Sequence, residues 1–134
     1  MRQINITRNI HQHEKTLERY FVEINKYPLL SSEEEVALAI KIKEGDIEAR
    51  NKLVNSNLRF VVSVAKKFQG NKIALKDLIN DGNAGMIKAS EKFDHTRGFK
   101  FISYAVSYIQ QQIHIAIFDQ KEIIRPSAEK TSIH

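Results

Sequence analysis

No cysteine occurs anywhere in the 134 residues. Disulfides and thiolate zinc sites are therefore excluded as sources of stability, and the chain suits a reducing compartment. Proline appears twice and glycine five times. So few chain breakers, beside abundant Glu, Lys, Ala, Ile and Leu, predict helices. The start, MRQINITRNIHQHEK, has no apolar core of the kind a signal peptide needs, so no export is expected. One run, 101–118, is free of charge, but Ser103, Ser107, Gln110, Gln111, Gln112 and His114 make it too polar and too short to span a membrane. Internal repeats and low-complexity segments are also missing. His11, His13, His95 and His114 are scattered, and no nucleophile sits beside a base in a recognisable motif, so an enzyme is not expected.

What is present is an ordinary globular composition, 42% apolar and 28% charged, long enough to bury one core. The expectation is an all-α domain over 15–125, between a loose polar arm at 1–14 and a short polar tail at 126–134. The net charge of +5 suits a polyanionic partner, though many basic proteins bind none.

Apolar spacing sets out the helices. Leu17, Tyr20, Phe21 and Ile24 recur at i, i+3, i+4 and i+7, and Pro28 closes that helix. In LLSSEEEVALAIKIKEGD, both Ser31 with Glu34 and Ser32 with Glu35 fit a capping box. Lys41 and Lys43 suit the negative end of that helix, and Gly45 its left-handed stop. Asp46 predicts the cap of a third helix running to Asn55 with Ile47, Leu53 and Val54 inside. Leu58, Val61, Val62, Ala65 and Phe68 share one side of a fourth. Leu75, Leu78, Ile79, Met86, Ala89 and Phe93 form the buried side of a fifth. Gly82 and Gly85 each cost this helix about 1 kcal/mol against Ala, so something is expected to approach its backbone closely. DHTRG reads as a turn, and a last helix is predicted from about Phe101 to Glu122.

The segment EKFDHTRGFKFISYAVSYIQQQIHIAIFDQ, residues 91–120, concentrates the chemistry. On a helical wheel Ile102, Ala105, Ile109, Ile113 and Ala116 share one narrow sector. Phe101, Tyr104, Tyr108 and Gln111 are expected on the opposite side, with Arg97 and Lys100 just ahead of them. Exposed rings beside cations suit single-stranded nucleic acid, whose bases stack on aromatics while basic groups follow the phosphates. Rings packed against another helix give the same pattern, and spacing does not separate the two readings.

PLLSSEEEVALAIKIKEGD, NLRFVVSVAKKFQG and LKDLINDGNAGMIKASEKFDHTRGFKFISYA together resemble the sigma-70 family of bacterial RNA polymerase sigma factors, of the primary-like class, over about Thr16 to Arg125. The resemblance implies a compact all-helical domain, cytoplasmic and nucleoid-associated, that needs no cofactor or metal. It implies docking on core RNA polymerase, at the β′ clamp coiled coil, through Asp77, Asn80, Asp81, Asn83 and Ile87. It also implies melting of the promoter minus-ten element by capture of flipped nontemplate-strand bases. Tyr104 would stack on the flipped adenine, with Phe101 and Ser103 forming the pocket and Tyr108 beside it. Gln111 and His114 would face the upstream edge, and Asn57, Arg59 and Phe60 would line a second base pocket. Lys88, Lys92, Arg97 and Lys100 would lie on or near phosphate. An anti-sigma factor is a further partner that such a protein can have.

Two departures from the family stand out. Adjacent tryptophans normally follow the motif around Tyr104, and here those positions hold Ser107 and Tyr108. Basic residues normally come just downstream, where this chain has Gln110 and Ile115. Each missing phosphate contact weakens DNA binding and flattens its salt dependence. Weakened melting, or a truncated sigma-like regulator that docks on polymerase without opening promoters, is therefore the alternative expectation. The sequence also stops just after the second family region, so recognition of a two-part promoter unaided is not expected. Duplex binding through a helix-turn-helix is disfavoured because the apolar phase continues through NDGNAG.

Overall fold

The computed structural model describes residues 15–70 and 72–124, with side chains to residue 119; the arm 1–14 and tail 126–134, with His11 and His13, lie outside the described residues. The regular elements are helical, as the apolar periods predict. Helix α1 covers residues 15–24. It is followed by α2 (Ser32–Lys43), α3 (Ile47–Asn55), α4 (Leu58–Lys66) and α5 (Leu75–Lys92), a 3-10 turn (His95–Arg97), and α6 (Phe101–Ile124).

Local chemistry explains both ends of α2 and the start of α3. Ser31 Oγ accepts from the Glu34 amide at 3.1 Å, and Glu34 Oε1 accepts from the Ser31 amide at 2.9 Å. Of the two capping frames the sequence offers, this is the one formed. Bonds from the Ser31 backbone and side chain hold the Glu34 carboxyl below its ordinary value. Its capping contribution is therefore present above the ordinary carboxylate range and lost as pH falls through the lowered folded value. Replacing Ser31 with alanine is expected to cost about 1 kcal/mol, read as a lower thermal midpoint at neutral pH. Gly45 ends α2 at φ 91°, a conformation that costs other residues energy. Asp46 Oδ1 then accepts from Ala49 N at 3.1 Å and starts α3.

The core is built mainly where α5 and α6 pack along each other, with α3 and α4 closing over them. Leu53, Val61, Leu78, Met86, Phe101, Ile109 and Ile113 are its most completely buried large side chains. Gly82 and Gly85 are buried in that packing, and the close approach predicted for them is to α4 and α6 of the same chain. Several expected core positions differ. Ile47 is 61% exposed as the first residue of α3. Ile102 and Ala116 are only half-buried, so the inward face of α6 is centred on Phe101, Ala105, Ile109 and Ile113.

Candidate nucleic-acid and protein interfaces

Phe93 ends α5 in extended backbone, and the turn through Gly98 brings the chain back so that five rings meet. The Phe93 centroid lies 5.3 Å from that of Phe101 and 5.9 Å from that of Tyr104. Phe99 lies 6.4 Å from Tyr104 with planes only 24° apart, and Tyr108 is 5.2 Å from Tyr104. The rings are graded in exposure. Phe101 is 0% exposed, Tyr104 and Tyr108 are half-buried, and Phe99 is 44% exposed. The placement of Phe101 on an outward platform is therefore corrected. It is the largest fully buried side chain of the described residues, held inward because Phe93 packs edge-on against it. Phe99, which sequence reasoning passed over, takes the outer position; its alternation with Phe101 in GFKF was the available signal.

Tyr104 remains accessible on one side of this cluster. Its hydroxyl lies 2.9 Å from that of Tyr108 and donates weakly to the Lys92 carbonyl at 3.4 Å. Burial, then the Tyr108 hydrogen bond and charge, push the Tyr104 phenol up to about 12. It is neutral at any physiological pH, and an uncharged ring suits stacking on a base. Ser103 is exposed beside it, and the exposed Ser107 folds its hydroxyl back onto the Tyr104 carbonyl at 3.1 Å. Gln111 and His114 lie exposed further along α6, with His114 edge-on to Phe68 at 4.9 Å.

The cations divide. Lys88 and Lys92 are exposed on α5. Arg97 makes an exposed pair with Asp94 at 3.6 Å. Lys100 donates to the Leu30 carbonyl at 2.7 Å and pairs with Glu35 at 3.6 Å, so its ammonium is engaged within the fold.

The second cluster lies between α1 and α4. Arg59 and Phe60 are half-buried and border a cavity of about 370 Å³ with Phe21, Asn25, Ser63 and Lys66. The Arg59 guanidinium donates to the Tyr27 carbonyl, and the Lys66 ammonium sits 5.2 Å over the Phe21 ring. Asn57 does not belong to this lining. It is buried, and its amide donates to the Leu53 carbonyl at 2.8 Å, tying off the end of α3. Phe21 and Lys66 were missed because they come together only through the packing of α1 on α4.

On α5, Asp77, Asn80 and Ile87 are exposed along one outer face, with Asp81 partly exposed among them, opposite the buried Leu78, Ile79, Met86 and Ala89. Burial, then the neighbouring Asp77 charge, hold the Asp81 carboxyl above its ordinary value. A basic partner would relieve that repulsion. Asn83 departs from the expected set: it lies on the flank of the helix, and its amide donates to the Tyr20 hydroxyl at 3.2 Å. It fastens α1 to α5.

The Sigma-70 region 2 model matches residues 53–122, more than half of the chain. The chain belongs to the sigma-70 family. The model for region 1.2 of the Sigma-70 factor matches residues 16–46, so α1 and α2 form the first family region and the helices from the end of α3 to α6 the second. The RNA polymerase sigma factor SigA of Clostridium acetobutylicum is 55% identical over 106 residues, and that of Listeria monocytogenes 50% over 106 residues. The match covers 79% of this chain and 28% of each relative. This sigma-70 member thus spans little more than a quarter of the curated relatives it matches. The family is non-enzymatic. Among the described residues, no helix is long and apolar enough to cross a membrane, and no group of three or more His, Asp or Glu side chains is disposed to hold a metal ion.

Proposed function

We propose that this chain is a transcription initiation factor that binds core RNA polymerase and recognises and melts the promoter minus-ten element. The exposed face of α5, with Asp77, Asn80, Asp81 and Ile87, docks on the β′ clamp coiled coil. Tyr104, flanked by Ser103, Phe99 and Tyr108, receives the flipped nontemplate adenine. Flipping costs a few kcal/mol, and stacking on the neutral tyrosine ring together with hydrogen bonds to the base edge offsets it. The Gln111 amide can bond an adenine edge in the upstream duplex, with His114 beside it. The cavity bordered by Arg59, Phe60 and Lys66 is a second base site. Lys88, Lys92 and Arg97 supply phosphate contacts. The observation that carries this reading is that both family regions match, over residues 16–46 and 53–122, along one fold that leaves Tyr104 accessible.

The test is binding of the purified protein to core polymerase, with and without a single-stranded minus-ten oligonucleotide. Co-migration with the polymerase is expected, and its failure sinks the reading. In the bound complex Tyr104→Ala is expected to weaken oligonucleotide affinity by about tenfold to a hundredfold, the value of one stacked base, with polymerase docking unchanged. Tyr104→Phe keeps the ring and stays near the parent.

A second reading is favoured by the α6 surface beyond Tyr108. Gln110 and Ile115 are exposed there without charge, and Ser107 offers no ring. On this reading the protein docks on polymerase as a regulator or decoy and opens no promoter. Promoter opening by the complex, abolished by Tyr104→Ala, rules it out.

A further inference from the structure

We propose that Glu35 is a positioning residue for the base-capturing helix, its buried carboxylate reaching from α2 to the first amide of α6 and fixing how that helix presents Tyr104. The effect expected on DNA rests on the function proposed above; the positioning itself does not.

Glu35 is 4% exposed, and its Oε1 accepts from the Phe101 amide at 3.0 Å, across 66 positions of sequence. Helix α2 does not need this carboxylate, because Ser31 and Glu34 already form its capping box. Helix α6 does need it. The residue before Phe101 is Lys100, whose ammonium has no lone pair with which to cap an amide. A carboxylate at the positive end of a helix meets both the orphan amide and the dipole. Lys100, 3.6 Å from Glu35 Oε1 and bonded to the Leu30 carbonyl at 2.7 Å, supplies the opposing charge that a buried anion requires. The start of α6 is thus held from α2 by two polar links at consecutive residues. Tyr104 follows within one turn, and its hydroxyl contact with the Lys92 carbonyl at 3.4 Å and its ring contact with Phe93 at 5.9 Å keep their distances only at one rotation of α6 about its axis.

The experiment compares the parent with Glu35→Ala, Glu35→Asp and Glu35→Gln, all confirmed folded by circular dichroism. Two quantities are measured on the full chain. One is the Tyr104 ring resonances by NMR, assigned through Tyr104→Phe. The other is the affinity of the polymerase-bound protein for a single-stranded minus-ten oligonucleotide. Loss of a bond to a charged acceptor predicts about tenfold weaker oligonucleotide binding for Glu35→Ala, with polymerase docking unchanged and the Tyr104 resonances displaced. Glu35→Asp keeps the charge but falls short of the Phe101 amide, and it shows the same loss; it decides the matter if the alanine variant does not fold. Glu35→Gln retains an acceptor oxygen and rescues binding to within about threefold of the parent. Tyr104 resonances that stay in place in folded Glu35→Ala or Glu35→Asp overturn the proposal. So does unchanged oligonucleotide affinity in those variants when Tyr104→Ala weakens it. If Tyr104→Ala leaves the affinity unchanged, base capture is what fails, and the ring resonances alone decide the role of Glu35.

Discussion

Phe101→Ala is expected to lower the stability of the folded protein by about 3–5 kcal/mol, the range for emptying a core site of a phenylalanine. The ring is 0% exposed and stands where α6 begins, against Phe93 and directly after the Lys100 link to α2. Deleting it loses the transfer energy of the ring and leaves a cavity that Phe93 alone fills poorly. In thermal denaturation without DNA the midpoint should fall by roughly 10–15 °C for a domain of this size. A ring standing on the surface as a stacking platform would behave in the opposite way, with a change within about 0.5 kcal/mol in stability and a direct loss of oligonucleotide binding. Phe101→Leu separates the two further. It retains most of the buried volume, costs less than about 1.5 kcal/mol, and should leave the oligonucleotide affinity of the polymerase complex within about twofold. An unchanged melting midpoint for Phe101→Ala would remove Phe101 from the core.

This residue also marks where sequence reasoning stopped. The helices were legible because their signals are local: Asp46 before α3, Gly45 after α2, and apolar groups every three or four residues. At about 100° per residue Phe101 lies only some 40° from Ala105, at the edge of the aliphatic sector rather than opposite it. How wide the buried sector of α6 becomes depends on what covers it, and Phe93 extends that cover to include Phe101. The same limit applies to the capping frames. Ser31 with Glu34 and Ser32 with Glu35 are equivalent as strings; in the fold the first pair forms the box and Glu35 is engaged by the Phe101 amide of α6. Asn57 and Asn83 were expected at a base pocket and on the docking face only through the family resemblance. The Asn57 partner, the Leu53 carbonyl, is a local contact four residues back, whereas the Tyr20 hydroxyl reaches Asn83 only through the packing of α1 on α5. Tyr104, half-buried, and Gln111, exposed, keep the outward side that the wheel gave them, and Ser103, Asp77 and Asn80, named by the resemblance, are exposed, because all project from long helices whose opposite faces are strongly apolar.

Gly85→Ala should be nearly as damaging, although it adds a single methyl. A Cβ at Gly85 would lie 2.5 Å from the Tyr108 carbonyl oxygen, 2.9 Å from the carbonyl carbon and 3.1 Å from Gln112 Cγ. The first two atoms are backbone, so no side-chain rotation relieves the contact. Helices α5 and α6, the principal packed pair of the fold, must move apart. Alanine would otherwise favour this helix by about 1 kcal/mol, which makes the sign of the result informative. The expected outcome is a net loss of about 3 kcal/mol, the upper part of the range for overpacking, read as a fall in the thermal midpoint of roughly 10 °C. Gly82→Ala provides the internal comparison. Its methyl would meet Val61 Cγ1 at 2.7 Å and Ile109 Cγ2 at 3.2 Å, side-chain atoms that can shift, so a smaller loss is expected there. The displacement at Gly85 also has a direction. It pushes on the backbone of Tyr108, whose hydroxyl is 2.9 Å from that of Tyr104. In conditions where Gly85→Ala remains folded, oligonucleotide binding should therefore weaken more than polymerase docking, which is proposed to use the outer face of α5. A stabilised Gly85→Ala variant would mean that α5 and α6 do not approach as closely as described, and the placement of Tyr104 would fall with that contact.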